Sequence, residues 1–228
     1  MARKNSPNGI LVVGLGRFGS AVAVTLEKMD REVLVVESSS RKVNQWQGRI
    51  PLIQADATQM AALEQLGARD FDTAVVGIGS SLEASVLVTA NLVDLGLPQI
   101  WAKATSREHG RILKRIGAHH VVYPEYDAGQ RTAHLVGGQM LDYIEMDRRG
   151  FSVVKMRPPA ETHGFTLGEL DLPARYGIQV IGVLSPGHPF EYAKADTRID
   201  PDSLLIVSGD TELLEQFANR SAKPYRRS

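Results

Sequence analysis

Six short apolar runs, each set off from the next by a helix-like stretch, organise the first half of the chain. The runs cover residues 10–13, 33–36, 52–53, 73–76, 100–102 and 121–122. Most are continuous and β-branched rather than alternating, which is the pattern of parallel strands covered on both faces. Residues 18–29, 41–46, 58–66, 82–95 and 107–116 have helical character. Ser40, Thr58, Ser81 and Ser106 stand where N-caps belong, and Gly67, Gly96 and Gly117 stand where helices end. Six strands alternating with five helices predict an α/β fold, a doubly wound Rossmann-like parallel sheet, over residues 1–124.

After Pro124 the pattern changes. Residues 128–144 read as one longer helix with Leu135, Met140, Leu141 and Ile144 on its apolar side, so residues 125–147 are expected to connect domains and dimerise. A strand (151–156), a Pro158-Pro159 break, a short helix (166–170), two strands (178–184, 204–207) and a last helix (211–217) follow. Residues 148–220 therefore read as a smaller α+β domain, and 221–228 as a basic tail.

Composition narrows the function. The 228 residues carry 26 basic and 26 acidic side chains, so no net charge draws the chain to nucleic acid or an anionic bilayer. The absence of cysteine excludes disulfides, thiolate zinc sites and cysteine nucleophiles. No apolar run approaches the ~20 residues of a bilayer-spanning helix, and no signal core follows the N-terminal charges. A soluble, cytoplasmic protein is expected.

The chemistry concentrates at the strand ends. Gly14-Leu15-Gly16-Arg17-Phe18-Gly19 follows the first apolar run and opens the first helix. Gly14 permits the turn, Gly16 lets backbone approach a phosphate, and Gly19 lets helix and strand pack closely. The helix N-terminus then offers free N–H groups to an anion. Glu37, 18 residues beyond Gly19, is placed to accept hydrogen bonds from ribose hydroxyls and to repel a 2′-phosphate, although Arg41 nearby softens the case against NADP. Arg17 is a permanent cation within the loop and suits an exposed terminal phosphate, as in ATP or ADP, better than an internal pyrophosphate. Asp56-Ala57-Thr58, Gly77-Ile78-Gly79 and Lys103 end further strands on the same edge, where open α/β sheets bind ligands.

Together, Gly14–Gly19, the segment 54–58, Gly77–Gly79, Trp101-Ala-Lys-Ala104 and Pro124-Glu-Tyr-Asp127 resemble the regulator-of-potassium-conductance family, particularly the gating subunits of Ktr-type potassium uptake systems. The likeness runs from Gly9 to about residue 217. It implies a regulatory subunit rather than an enzyme, forming homodimers that assemble into an octameric ring on a membrane potassium-translocating subunit. ATP and ADP would favour different ring shapes, bound at the glycine loop, Glu37 and Ser38, with Asp56, Ala57 and Thr58 on the adenine side. Arg17 would reach a terminal phosphate, including one bound by a neighbouring subunit. Glu125 would help hold an activating cation (Mg²⁺, Ca²⁺ or Na⁺) at the dimer interface. In the second domain the resemblance implies a cyclic di-AMP site at Leu172, Ala174, Arg175, Tyr176, Ile178 and Val180, where Pro173 replaces the usual arginine.

Two other readings share the glycine loop and Glu37. An NAD(H)-sensing regulatory subunit needs nothing more, whereas an NAD-dependent oxidoreductase needs an acid–base group near the nicotinamide. None of the six histidines (His109, His119, His120, His134, His163, His188) stands in a motif that implies such a placement. A transcription regulator would show a helix-turn-helix or basic recognition face, and neither is visible.

Overall fold

The computed structural model describes residues 9–220 apart from 138 and 148, so the basic tail lies outside the described residues. The chain divides into two compact units, one ending at Tyr126 and the other beginning at Asp127.

The first unit is a six-stranded parallel sheet. Its strands are β1 (Ile10–Val13), β2 (Val33–Glu37), β3 (Leu52–Gln54), β4 (Thr73–Val76), β5 (Gln99–Lys103) and β6 (His120–Val122), in the order β3-β2-β1-β4-β5-β6. Its helices are α1 (Arg17–Lys28), α2 (Ser40–Trp46), α3 (Met60–Gln65), α4 (Leu82–Asp94) and α5 (Arg107–Ile116). Strand β1 shows why the runs are unbroken: Ile10 and Val12 join one buried cluster with Val33, Val35 and Ala23, while Leu11 and Val13 join another with Leu92, Ile100 and Leu113. Both faces are covered, so every position is apolar. Full burial of a side chain such as Leu92 or Ile100 stabilises by about 1.5–3 kcal/mol.

Chain order reverses between β1 and β4, and the strands there are in exact register, Val13 beside both Val36 and Val76. That reversal opens a crevice beyond the strand ends. Ser81 and Ser106 cap α4 and α5 as expected, accepting from the N–H groups of Ala84 and His109 at 3.1 Å each. Ser40 is instead the first residue of α2, behind Ser39, and Thr58 precedes the N-cap Gln59 of α3.

Helix α6 (Pro124–Val136) begins in the first unit and continues into the second. It ends well short of residue 144, which corrects the expectation of one helix over 128–144. Met140, Leu141 and Ile144 belong instead to strand β7 (Met140–Glu145). The pairing of β7 with β8 shifts register between Met140 and Asp142. The irregularity leaves Met140 and Tyr143 buried and Leu141 and Ile144 exposed, so the apolar residues at 140, 141 and 144, whose spacing imitates a helix face, do not share one side.

The second unit is an antiparallel sheet of β7, β8 (Phe151–Met156), β9 (Ile178–Leu184), β10 (Glu191–Tyr192) and β11 (Leu204–Asp210), ordered β10-β9-β11-β8-β7. Helices α7 (Leu167–Leu170), α8 (Leu172–Tyr176) and α9 (Thr211–Ala218) accompany it. Leu172, Leu214 and Phe217 pack with Met156, Leu205 and Val207 into its core. Helix α8, which carries a proline in its first turn, and the two-residue β10 are additional to the elements expected from the sequence. Among the described residues, no helix is long and apolar enough to cross a membrane.

Candidate functional site

The crevice at the strand ends is a cleft of about 550 Å³. Strand β1 delivers the glycine loop into it. The N–H of Gly14 donates to the Val36 carbonyl and that of Gly77 to the Val13 carbonyl, both at 2.8 Å, which pins the loop between β2 and β4. Gly14 has φ +98°, a left-handed value that strains any other residue. Helix α1 starts at Arg17 behind Gly16, and no side chain caps it, so its first N–H groups remain available to an anion.

Glu37 closes one side. It is only 6% exposed, and its carboxylate is held from three directions. Oε2 accepts the Leu15 N–H at 2.7 Å and the Lys42 ammonium at 3.1 Å, and Oε1 accepts the Ser39 N–H at 2.9 Å. Burial alone would raise this carboxyl, but the two backbone donors and Lys42 outweigh it and leave it below the ordinary value. The residue predicted to hold a ribose therefore also holds the phosphate loop. Across the cleft, Asp56 Oδ1 accepts the N–H and hydroxyl of Thr58 at 3.0 and 2.8 Å, forming a closed turn. Asn91 on α4 fixes that turn from behind, donating to the carbonyls of Ala57 and Thr58 at 3.2 and 2.9 Å.

The far side carries another ion pair. Lys103, at the end of β5, donates to Glu125 Oε1 at 2.7 Å. Lys103 is first among the influences holding the Glu125 carboxyl below its usual range, and the charge of Arg17 adds to it. Arg17 itself lines the cleft and is exposed.

The structure brings together fourteen of the sixteen residues expected at a nucleotide: Gly14, Gly16, Arg17, Phe18, Glu37, Ser38, Asp56, Ala57, Thr58, Gly77, Ile78, Gly79, Lys103 and Glu125 all line the cleft. Leu15 and Gly19 lie behind it, the first tied to Glu37 and the second packed on Gly14. Lys42, Ser80, Ser81 and Thr105 also line it and were not anticipated. Their contribution depends on which turn of a helix or loop faces inward, and spacing alone does not reveal that.

The glycine cradle, the buried acceptor and the uncapped helix end fit the ribose and phosphates of a nucleotide. A cation site is less complete. Among the described residues no three histidines or carboxylates cluster, and Glu125 is already paired with Lys103. The histidines have local partners: His119 accepts the Ile100 N–H, His120 stacks on Trp101, and His134 pairs with Glu215. His109 is buried, and its Nδ1 lies 3.3 Å from the Thr105 N–H.

The second unit has a smaller pocket of about 240 Å³. Leu172 and Val180 line it, together with Pro173, Gln179, Asp171 and Lys194. The other residues expected there sit elsewhere. Ile178 is in the core, Tyr176 packs on Phe217 and beneath Arg220, and Ala174 and Arg175 are exposed on α8.

Residues 10–124, which supply every element of the larger cleft except Glu125, match the family model for the TrkA-N domain. The chain belongs to the TrkA-N family. This TrkA-N protein is 34% identical over 212 residues to the Ktr system potassium uptake protein C of Bacillus subtilis, covering 92% of this chain and 95% of that one. It is 30% identical to the Ktr system potassium uptake protein A of the same organism, covering 91% and 94%. Among solved structures it resembles the GsuK channel bound to NAD, with TM-score 0.67 and 18% identity over 96% of this chain and 41% of that one. GsuK bound to ADP aligns with TM-score 0.51 and 20% identity over 59% and 35%. The TrkA-N protein thus spans less than half of GsuK, and at these identities the likeness establishes the fold.

Proposed function

We propose that this TrkA-N protein is a cytosolic nucleotide-sensing subunit that regulates a membrane potassium-translocating partner, with ATP and ADP favouring different conformations. The observation that carries the reading is the order of charges along the cleft: the ribose acceptor Glu37 on β2, the glycine loop on β1, and the cations Arg17 and Lys103 beyond it. A phosphate chain running from β2 across β1 ends among those cations. The Ktr relatives supply the physiological setting, since they match over nearly their whole length. Regulation rather than catalysis is the natural use of such a site. A ligand shifts a two-state protein only by its differential affinity for the states, and tenfold per site is ~1.4 kcal/mol. A dimer-built octameric ring would multiply that preference across subunits. A cation (Mg²⁺, Ca²⁺ or Na⁺) at Glu125 would draw its remaining oxygens from the phosphates and from a second copy.

Calorimetry with ATP, ADP, NADH and cyclic di-AMP, with and without Mg²⁺, tests the reading. ATP preference with a Mg²⁺-dependent gain supports it. Tight NADH binding with ATP ignored replaces it with redox sensing, the alternative that Glu37 and the NAD-bound GsuK likeness favour. The pocket at Leu172 and Val180 is the place a cyclic di-AMP signal would map to.

Arg17→Ala is expected to weaken ATP by about ten- to 150-fold, because a charge-assisted hydrogen bond contributes roughly 1.5–3 kcal/mol and each ~1.4 kcal/mol is tenfold. ADP is expected to lose less. Equal losses would show that Arg17 does not read the terminal phosphate.

A further inference from the structure

Lys103 and Glu125 make an unequal pair. The lysine side chain is 11% exposed, whereas the glutamate is 59% exposed. The Lys103 ammonium lies against Gly79, 3.1 Å from where a Cβ there would stand, so it forms part of the cleft wall. A lysine so enclosed needs a counter-charge. Glu125, in the first turn of α6, supplies it at 2.7 Å.

The other ion pair of the cleft is built differently. Glu37 is itself buried and is anchored by the backbone N–H groups of Leu15 and Ser39, so its carboxylate cannot leave without stranding two donors. The Glu125 carboxylate is held by Lys103 and by its own backbone N–H, and it faces solvent. It can swing away into water at little cost once another anion takes its place on Lys103. A carboxylate oxygen and a phosphate oxygen also present the same acceptor to an ammonium group.

The sheet fixes which part of a ligand meets this pair. From β2, which carries Glu37, to β5, which carries Lys103, the order β2-β1-β4-β5 spans three strand spacings, about 14 Å at ~4.8 Å each. A nucleotide with its ribose at Glu37 and its phosphates on the β1 loop points its phosphate chain toward Lys103.

We propose that Lys103 acts with Arg17 in distinguishing long from short phosphate chains, and that Glu125 is the built-in competitor for Lys103, occupying in the ligand-free chain the place that a terminal phosphate oxygen takes on binding. The inference rests on the nucleotide reading above and deepens it. Short ligands such as AMP leave the pair closed. A triphosphate exchanges one carboxylate charge for a more highly charged group and frees Glu125, together with the start of α6.

The test is equilibrium binding of AMP, ADP and ATP to the full-length chain in the presence of a chelator, which removes any cation bridge. Glu125→Gln is expected to bind ATP about fivefold more tightly than wild type, about 1 kcal/mol, with AMP unchanged. Lys103→Met is expected to reduce the ATP-over-AMP preference by at least about fivefold, and adding Glu125→Gln to it is expected to change nothing further, the signature of a coupled pair. ATP affinity that is unchanged or lower in Glu125→Gln overturns the competitor role, and equal gains for AMP and ATP overturn the reading of chain length. Failure of wild type to bind any of the three nucleotides overturns the nucleotide reading itself.

Discussion

Replacing Gly19 with alanine is expected to destabilise the first unit strongly rather than merely weaken its ligand. A Cβ at Gly19 would fall deep inside the van der Waals envelope of the Gly14 carbonyl oxygen and 3.2 Å from the Gly14 carbonyl carbon. Neither side can yield. Gly14 is fastened to Val36 through its N–H, and the Gly19 Cα lies 3.1 Å from where a Cβ on Gly77 would stand. Overpacking in a core costs ~1–3 kcal/mol when side chains give way, and here the obstruction is backbone, so a loss of roughly 3 kcal/mol or more is expected. Both tryptophans, Trp46 and Trp101, belong to the first unit, so their fluorescence during urea unfolding reports on that unit alone. Gly16→Ala is the matched control. Its Cβ would meet nothing closer than the Gly77 carbonyl oxygen at 3.8 Å, and the backbone φ of −77° suits any residue. That variant is expected to fold normally and lose nucleotide affinity, because the new methyl stands where phosphate approaches. A Gly19→Ala chain with the wild-type midpoint would show that helix α1 can shift on β1 and that the packing argument is wrong.

The contrast between those two glycines marks how much a sequence of this kind discloses. Parallel strands buried on both faces leave unbroken apolar runs, so β1, β2 and β4 are legible from residue type alone. The cleft is legible because the doubly wound order gathers all strand ends to one edge, which makes Glu37, Asp56, Gly77 and Lys103 neighbours although they are spread over 67 positions of the chain. What stays hidden depends on details that residue type does not encode. The bulge in β7 erased the period of two. Asn91 supports the Asp56 turn from a helix more than thirty residues away. The pairing of Lys103 with Glu125 could not be read either, since a lone acid after a proline carries no mark of its partner. In the second unit, α8 is too short to show a face, so Ala174 and Arg175 could not be assigned to the surface from spacing.

Glu37→Gln is expected to cost both stability and ligand. The carboxylate accepts three donors, and glutamine keeps one oxygen while turning an NH₂ toward the Leu15 N–H, the Ser39 N–H or the Lys42 ammonium. A buried donor left facing another donor costs about 1–3 kcal/mol. Because one of the donors is the N–H of Leu15, the glycine loop loses one of its ties to β2, keeping the Gly14–Val36 bond, and ATP and ADP are expected to weaken together, by tenfold or more. That shared loss separates Glu37 from Arg17, whose removal discriminates between the two nucleotides. The stability loss should also depend on pH in a defined direction. The Glu37 carboxyl is held below its ordinary value of 4.5, so the folded state gains from the charged form at any pH above that value. The gain is lost as pH falls through the lowered folded value, because the unfolded chain takes up the proton first. The difference in urea midpoint between wild type and Glu37→Gln, followed by tryptophan fluorescence, is therefore expected to be full at pH 7 and to shrink below pH 4.5. A difference that stays constant down to pH 3 would mean that the carboxylate charge contributes nothing. The loop would then be held by the shape of the Glu37 side chain alone.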